Sequence, residues 1–459
     1  MTPATGTHFI GISGIGMSAL ARILLARGET VSGSTDRRTA LVDQLEREGA
    51  RIGVGHGASH LAGVREVIVS TAIAPGNPEL TAARERGLPV LHRGELLARL
   101  MARSRGIAIS GTHGKTTTTA MVATVLEAGG IDPTVVVGGE LVDTATNARN
   151  GGGPWFLSEA DESDGSFLGL RPELAVVTNI ENDHIACDAE LPRLVQDFER
   201  FTDRVPARGA AWFGIDDARA ATLARRPRAA RTRTFGFAED AGVRAVAPRY
   251  AAFGSRFDVV VDGAPLGQVA LTVPGAINVL DALPAIAIGL ELGVPFATIA
   301  RALGGFRGVR RRFEIVARSD RMTVVDDYAH HPTAVAATVA AARAAHAGPL
   351  VVAFQPHRYT RTQYLGVAFA RALAGADRVL LTDVYAASED PLPGVDARTI
   401  GTPLAALGTD VSYVRVDELA ARLVAEAPPG ALVLMLGAGS ITAAAHELAG
   451  RIADPVAAR

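Results

Sequence analysis

Gly111-Thr112-His113-Gly114-Lys115-Thr116-Thr117-Thr118-Thr119 is the stretch whose residue types most directly imply chemistry. Glycines let a turn fold tightly enough to aim several backbone N–H groups at one point, and hydroxyls and an ammonium add further donors. Such a turn holds phosphate. Lys115 is the only lysine; every other residue among the 46 Lys plus Arg is arginine. A compact ammonium on a flexible stem follows a phosphoryl group in transfer better than a planar guanidinium does. The GxxxxGK[ST] spacing fails, because Ile109 stands where its first Gly belongs. The loop is the shorter Gly-Thr-x-Gly-Lys-Thr. A nucleoside-triphosphate site is expected, since a plain strand-to-helix turn has no need of Lys between Gly and a Thr run.

Three other clusters could act beside it. Glu159-Ala160-Asp161-Glu162-Ser163-Asp164 places four carboxylates in six residues. Packed like charges cost energy unless cations balance them. A solvated acidic turn is the common alternative, but here the turn follows a buried run in a nucleotide-binding region, so Mg²⁺ is expected. Mg²⁺ takes few protein ligands besides water and phosphate oxygens, and Thr116, Glu159 and His184 suffice. Asp326-Asp327-Tyr328-Ala329-His330-His331 and His357-Arg358-Tyr359-Thr360-Arg361 form the second and third clusters. Paired arginines hold a carboxylate bidentately. Near the start, Gly11-Ile12-Ser13-Gly14-Ile15-Gly16-Met17 has the spacing GxxGxG rather than the dinucleotide GxGxxG. Asp36 would suit a ribose hydroxyl. Ser70, Thr71 and His92 are binding candidates at strand ends, although each could equally be a helix cap.

The elements that must position these residues read as alternating strands and helices. Strands are expected at Thr7 to Ile12, Gly28 to Ser34, Arg65 to Ser70, Leu88 to Leu91, Gly106 to Ser110, Trp155 to Ser158 and Leu174 to Thr178, and again at Met322 to Val325, Leu350 to Phe354, Arg378 to Thr382 and Ala431 to Leu436. Short β-prone segments between Gly209 and Val273 extend the middle sheet. Helices are expected at Ser18 to Arg27, Ala120 to Ala128, Val279 to Leu292 and Thr333 to Ala345. Alternation of this kind predicts parallel sheets, with ligands at the carboxyl ends of the strands. Linkers are expected at Ala102 to Arg105 and in the basic stretch Gly304 to Phe313. The fold class is therefore α/β with three domains, at residues 1–104, 105–310 and 311–459, each a mainly parallel sheet with flanking helices.

Length and composition agree. A chain of 459 residues accommodates two to four domains. A formal net charge of −2 points to neither nucleic acid nor an anionic membrane. One cysteine, Cys187, excludes an internal disulfide and fits a reducing compartment. The first residues lack a basic segment followed by an apolar one, and no run reaches about 18 apolar residues, so a cytoplasmic location is expected.

With these residues quoted, the chain resembles the Mur ligase family of peptidoglycan synthesis over essentially its whole length. The resemblance rests on Gly11 to Met17, Ser70 to Ile73, Gly111 to Thr119, Glu159 to Asp164, Thr178 to Glu181, Arg311-Arg312-Phe313, Asp326 to Pro332 and Phe354 to Thr362. The last is the most selective and favours the alanine-adding branch. The resemblance implies a Rossmann-like N-terminal domain for a UDP-sugar, a P-loop ATPase-like central domain for Mg-ATP and a Rossmann-like C-terminal domain for the incoming amino acid. By it, Gly14, Ile15, Gly16 and Met17 would face the UDP-sugar's pyrophosphate. Gly111, Thr112, His113, Gly114, Lys115, Thr116 and Thr117 would line the ATP site, with Asn278 near adenine and Arg311, Arg312 and Asp327 reaching ATP. Thr116, Glu159 and His184 would be metal ligands. Tyr328, His330, Arg358 and Arg361 would surround the amino acid. The chain departs from the family pattern at Ile277, at Ala186-Cys187, at Thr35 and at Arg310.

The implied activity is ATP-dependent ligation of L-alanine to UDP-N-acetylmuramate through an acyl phosphate, with ATP and Mg²⁺ as cofactors and no oligomeric state implied. Lys115 would stabilise the transferred phosphoryl group, and His330 or His184 would be the base for the amine. Two other readings rest on fewer residues. A dehydrogenase rests on the first glycine turn and Asp36 alone. A nucleotide-sensing module would use Gly111 to Thr116 without any need for the His and Arg clusters.

Overall fold

The computed structural model describes residues 6–183, 190–251 and 253–452. The chain forms two compact units. One comprises Met1–Glu181, Leu191–Val243 and Pro284–Ile299; the other comprises Asn182–Glu190, Arg244–Leu283 and Ala300–Arg459. Together they carry three α/β domains, each built on a mainly parallel sheet.

In the first unit, β1 (Gly6–Ile10), β2 (Val31–Thr35), β3 (Arg51–Val54), β4 (Val64–Val69) and β5 (Val90–His92) form an all-parallel sheet in the order β3-β2-β1-β4-β5. The order reverses beside β1, and the Gly-rich turn after β1 lies at that switch point. The unit's second sheet holds β6 (Arg105–Ser110), β7 (Thr134–Val136), β8 (Ala148–Arg149), β9 (Trp155–Glu159), β10 (Leu174–Val177), β11 (Ala210–Gly214) and β12 (Arg231–Gly236). Their order is β12-β11-β10-β6-β9-β7-β8, parallel except for β8 at the edge. Ile107, Ala108 and Ile109 of β6 are wholly buried. Continuous apolar runs of this kind mark strands covered on both faces.

In the second unit, β13 (Val243–Ala251), β14 (Gly254–Val261) and β15 (Ala264–Leu271) lie side by side, β14 and β15 antiparallel. The third sheet contains β16 (Glu314–Arg318), β17 (Met322–Asp327), β18 (Leu350–Phe354), β19 (Arg378–Leu381), β20 (Asp410–Tyr413) and β21 (Ala431–Leu436), ordered β16-β17-β21-β18-β19-β20. Only β16 runs antiparallel.

Most expected strands and helices lie within a few residues of their observed bounds. Four edge strands, β3, β8, β16 and β20, escape the sequence reading, as does β13. Edges expose one side and are rich in polar residues, so they lack the apolar run that marks an interior strand. Glu314–Arg318 directly follows the expected basic linker, which begins at the end of the helix Phe296–Gly304. The other expected linker is short: Ala102 caps the helix Arg93–Met101, and β6 begins at Arg105.

Within the first unit, the helix that opens after the first glycine turn, Ile15–Ala26, is pinned to the second sheet by polar groups. Asn147 is fully buried; its Nδ2 donates to Ile15 O at 2.6 Å and to Ser18 Oγ at 2.9 Å. Its Oδ1 accepts from Arg22 Nη1 at 2.7 Å, and Arg22 Nε reaches Glu48 at 3.1 Å. Buried polar groups are tolerable only when paired, so this set fixes the helix in one register against the loop before β8. Asn147→Ala is expected to destabilise the chain by about 2–3 kcal/mol, because Arg22 loses a buried acceptor. Urea melts check this, and a loss under about 0.5 kcal/mol would refute it.

Candidate active site

The phosphate loop lies between β6 and the helix Lys115–Ala128, as the residue types require. Gly111 has φ 126°, and a Cβ there would lie 2.0 Å from Thr178 Oγ1. Only glycine fits. Gly114, at φ 83°, caps the helix. Side chains at the end of β10 hold the loop in place. Thr178 Oγ1 donates to His113 O at 2.6 Å, Asn179 Oδ1 accepts from His113 N at 2.9 Å, and Glu181 N donates to Thr112 Oγ1 at 2.8 Å. His113 Nε2 lies 3.0 Å from Glu181 Oε2. Thr112 and His113 thus fasten the loop as well as shaping it. Thr116 and Thr117 are buried in the first helical turn.

Lys115 turns back on its own loop. Its Nζ donates to Gly111 O at 2.6 Å, to Thr112 O at 3.1 Å and to Glu162 Oε2 at 2.8 Å. Burial pushes the ammonium's pKa down, but the charges of Glu162, Asp161 and Glu159 outweigh it and hold the group above its ordinary value. Lys115 is therefore charged and poised.

The acidic turn after β9, expected to bind a metal, is also balanced in part by two of the chain's own cations. Glu162 meets Lys115, while Arg93 Nη2 donates to Asp161 at 2.8 Å and to Asp164 at 2.9 Å. Burial raises the Asp161 carboxyl, yet Lys115 and Arg93 together bring it down to about 2. Glu159, at the end of β9, accepts from Gly138 N at 2.6 Å. The metal donors expected among the described residues, the Thr116 hydroxyl and the Glu159 carboxylate, are both oxygen, which fits Mg²⁺. His184, expected as a ligand and as a base, lies outside the described residues.

In the first sheet, Gly14 caps the helix Ile15–Ala26 without a side-chain hydrogen bond, and both Gly14 and Ile15 are exposed. The first N–H groups of a helix have no intrahelical acceptor and face outward there. Met17 differs from expectation, since its side chain is core, 2% exposed, and only its backbone faces the turn. Ser70 and Thr71 follow β4 at the surface. His92 caps the helix Arg93–Met101 in a reciprocal pair with Glu95.

The sequence reading missed Glu79, which is fully buried at the start of the helix Pro78–Glu85. Ser34 Oγ donates to it at 2.5 Å; His60 Nδ1 lies 2.5 Å away, His56 Nδ1 3.1 Å and His8 Nε2 3.6 Å. His56 Nε2 also meets Asp36 at 3.1 Å, so this acid already has a partner within the sheet. The five residues of the Glu79 cluster are scattered over 72 positions of sequence, and no spacing announces them.

In the second unit, the amino-acid cluster assembles at the ends of β17 and β18. Tyr328 packs under Arg311 and Arg312, whose guanidinium carbons lie 4.9 and 5.0 Å from its ring centre. His330 Nδ1 donates to Tyr328 O at 2.9 Å, leaving Nε2 as the lone-pair nitrogen, and its ring stands 5.5 Å from that of His357. Arg361 Nη2 donates to Asp183 Oδ1 at 3.0 Å, and Nη1 lies 3.1 Å from His357 Nδ1. Arg358, at φ 71°, starts the helix Tyr359–Leu373 with its guanidinium half exposed near Glu389.

The surroundings of two of the expected residues are specific. Burial pushes His330 down to about 3, with Asp183 opposing and Arg361 reinforcing. A neutral imidazole of this kind has its Nε2 lone pair available to a substrate N–H. Asp327, expected to reach ATP, accepts backbone N–H groups on both oxygens, from Phe313 and from Ala329, each at 2.7 Å. Arg311 Nη2 donates to Gly437 O at 2.8 Å. Asn278 lies in the first turn of the helix Ala276–Glu291, its Nδ2 donating to Pro274 O at 2.6 Å.

Parallel α/β domains carrying a phosphate loop and a strand-end His/Arg cluster define a nucleotide-dependent α/β enzyme. Three family models match in order: Mur ligase family, catalytic domain, over residues 6–105; Mur ligase middle domain over 109–289; and Mur ligase, glutamate ligase domain over 311–439. The chain is 48% identical over 448 residues to the UDP-N-acetylmuramate–L-alanine ligase of Acidithiobacillus ferrooxidans, spanning 96% of each. It is 46% identical over 440 residues to the enzyme of that name from Acidothermus cellulolyticus, spanning 94% of this chain and 92% of the relative. The crystal structure of UDP-N-acetylmuramate–alanine ligase from Thermotoga maritima shares 31% identity at a TM-score of 0.84, over 97% of this chain and 99% of that one. The murein peptide ligase of Psychrobacter arcticus, at 24% identity and a TM-score of 0.73 over 98% and 99% of the two chains, shares the fold. The chain belongs to the Mur ligase family.

The Glu79 cluster makes stability depend on pH. Burial raises the Glu79 carboxyl, but His8, Ser34, His60 and His56 bring it to about 2 against an ordinary 4.5. A carboxylate lowered on folding contributes stability above its unfolded value, here about 3 kcal/mol, and loses it as pH falls toward the folded value. Glu79→Gln should therefore melt well below the unsubstituted chain at pH 6, and the gap should shrink between pH 4.5 and 2.5. A gap that stays constant in circular dichroism melts would contradict this.

Proposed function

We propose that the chain joins L-alanine to the lactyl carboxylate of UDP-N-acetylmuramate, with ATP converted to ADP and phosphate, in peptidoglycan precursor synthesis. The observation that carries this is identity of 46–48% along nearly the whole length to ligases of that name. Domain boundaries near residues 104/105 and 310/311 accompany it, as does a cytoplasmic location; among the described residues no helix is long and apolar enough to cross a membrane.

A carboxylate must be activated before an amine can displace oxygen from it. The γ-phosphoryl group of ATP moves to the lactyl oxygen, forming an acyl phosphate. The amine of L-alanine attacks the acyl carbon, and phosphate leaves. Negative charge gathers on the phosphoryl oxygens in the first step. Lys115 exchanges Glu162 for those oxygens, while the loop N–H groups between Gly111 and Thr117 hold the β- and γ-phosphates. Thr116 and Glu159 would hold Mg²⁺, which would neutralise phosphate charge there. Gly14, Ile15, Gly16 and the Met17 backbone take the UDP-sugar's pyrophosphate, with Ser70 and Thr71 beside them. By the family resemblance Asn278 would serve adenine, and Arg311 and Arg312 the phosphates.

For the amino acid, Arg358 is the open guanidinium for the carboxylate, with Arg361 behind it. Tyr328 walls the pocket. The neutral Nε2 of His330 accepts a hydrogen bond from the amine, which orients it without removing its proton.

Phosphate release in the presence of UDP-N-acetylmuramate, Mg-ATP and single amino acids tests the reading. Release with L-alanine and little with glycine or L-serine is expected, and no release with any amino acid defeats it. Lys115→Ala should cut turnover by about 10³-fold or more, since it removes a transition-state cation; near-normal ADP release would contradict the loop's role. His330→Ala should raise KM for L-alanine about tenfold while lowering kcat less, as loss of an orienting contact does. A kcat loss with KM unchanged would make His330 the base after all.

A further inference from the structure

Arg93 is absorbed by no step above, yet it sits between two sites that handle phosphate. It is the first residue of the helix Arg93–Met101, immediately after β5. Its position is tightly set. A Cβ at Gly94 would meet Ser166 Cβ at 2.3 Å, so the start of this helix is pressed onto the segment that follows the acidic turn. The carboxylates it meets are fixed too. Asp161 Oδ1 accepts from Ser163 N at 3.1 Å, and Asp164 Oδ1 accepts from Ser166 N at 2.9 Å, leaving each Oδ2 for Arg93 Nη2. One end of the guanidinium is thereby spent on the acidic turn. The other end is turned toward the first glycine turn: a Cβ at Gly16 would lie 3.3 Å from Nη1. Gly16 is in the exposed first turn of the helix Ile15–Ala26, whose outward N–H groups already favour an anion. About a quarter of the Arg93 side chain remains accessible.

The acidic turn faces the second phosphate site in the same way. Glu162, within it, is the carboxylate that Lys115 must exchange for the γ-phosphoryl group. Arg93 and Lys115 are therefore counter-ions of one turn, one on the sugar-nucleotide side and one on the ATP side.

We infer that Arg93 is a diphosphate-binding residue for the sugar nucleotide, and that by sharing the Asp161–Asp164 turn with Lys115 it couples binding at the two phosphate sites. The inference rests on the proposed placement of the UDP-sugar at Gly14–Met17. When Nη1 donates to the diphosphate, the guanidinium's charge is shared between ligand and turn. The turn then competes differently for Lys115, and affinity for the triphosphate changes. Linkage requires the effect to be reciprocal.

Calorimetry on the full chain tests it, with UDP-N-acetylmuramate and a non-hydrolysable ATP analogue with Mg²⁺ as probes, each titrated alone and with the other saturating. In the unsubstituted chain each probe should change the other's Kd by the same factor, on the order of fivefold or more. Arg93→Gln should weaken UDP-N-acetylmuramate about ten- to a hundredfold, as loss of a charged hydrogen bond does, and bring the coupling factor toward one. Arg93→Lys should recover part of the affinity. Asp164→Asn separates this role from a structural one: it loosens Arg93 from the turn, so the coupling factor should fall while sugar-nucleotide affinity is retained. A purely structural tie predicts that Asp164→Asn weakens the sugar nucleotide as much as Arg93→Gln does. That result, or Arg93→Gln binding within twofold of the unsubstituted chain, overturns the inference alone. Failure of the unsubstituted chain to bind UDP-N-acetylmuramate overturns the substrate placement and the inference with it.

Discussion

A buried ammonium is the constraint on which the middle of this molecule depends. Lys115 is withdrawn from water, and an ion so placed persists only where carbonyls and carboxylates replace its hydration. The loop supplies Gly111 O and Thr112 O; the carboxylate comes from the turn after β9. That turn is within reach because β9 pairs with β6 in a register that sets Glu159 opposite Ile109. Crowding acids there to serve one lysine creates a second problem, the repulsion among them. Arg93 relieves it from the far side, which is why the first helix turn after β5 must press so closely on Ser166. Sheet register, helix placement and ion pairing thus follow from one another, and the same set of charges leaves the loop ready for phosphate.

Legibility in the sequence followed how local each feature is. The phosphate loop was readable because its turn, its cation and its helix start occupy one contiguous stretch. Interior strands such as Ile107–Ile109 and Leu432–Leu436 were readable because burial on both faces forces an unbroken apolar run. The polar edges Arg51–Val54 and Asp410–Tyr413 carry no such mark. The acids at Glu159–Asp164 were visible, but their partners were not: Lys115 and Arg93 lie 47 and 68 positions from the acids they meet, Lys115 brought in by the β6–β9 pairing and Arg93 by the packing of the first sheet's helix on the turn. Glu79 is the stronger case, since its neighbours come from four separate segments and its burial depends on all of them.

The second unit shows the same division at the level of electrostatics. That His330, His357, Arg358 and Arg361 belong together could be read from their positions at adjoining strand ends, where parallel sheets gather ligands. Their protonation could not. Burial, reinforced by Arg361 and His357 and opposed by Asp183, holds His330 neutral, and none of that is visible in the residue type. Asp327 offers a parallel, because its two backbone N–H donors, from Phe313 and Ala329, could not be read from the sequence. Residue type announces what a group is able to do, and enclosure decides which of those things it does.

Using arginine almost everywhere a cation is needed has a consequence for the chemist. Lys115 is the chain's single side-chain amine, and it sits in the phosphate loop against Glu162. A reagent that seeks amines has one internal address, the functional one, and reaches it only when Lys115 is released from Glu162 and deprotonated. A ¹³C-methyl label introduced there by reductive methylation reports one side-chain resonance, an observer of the phosphate site that needs no mutation and no assignment of the remaining 458 residues.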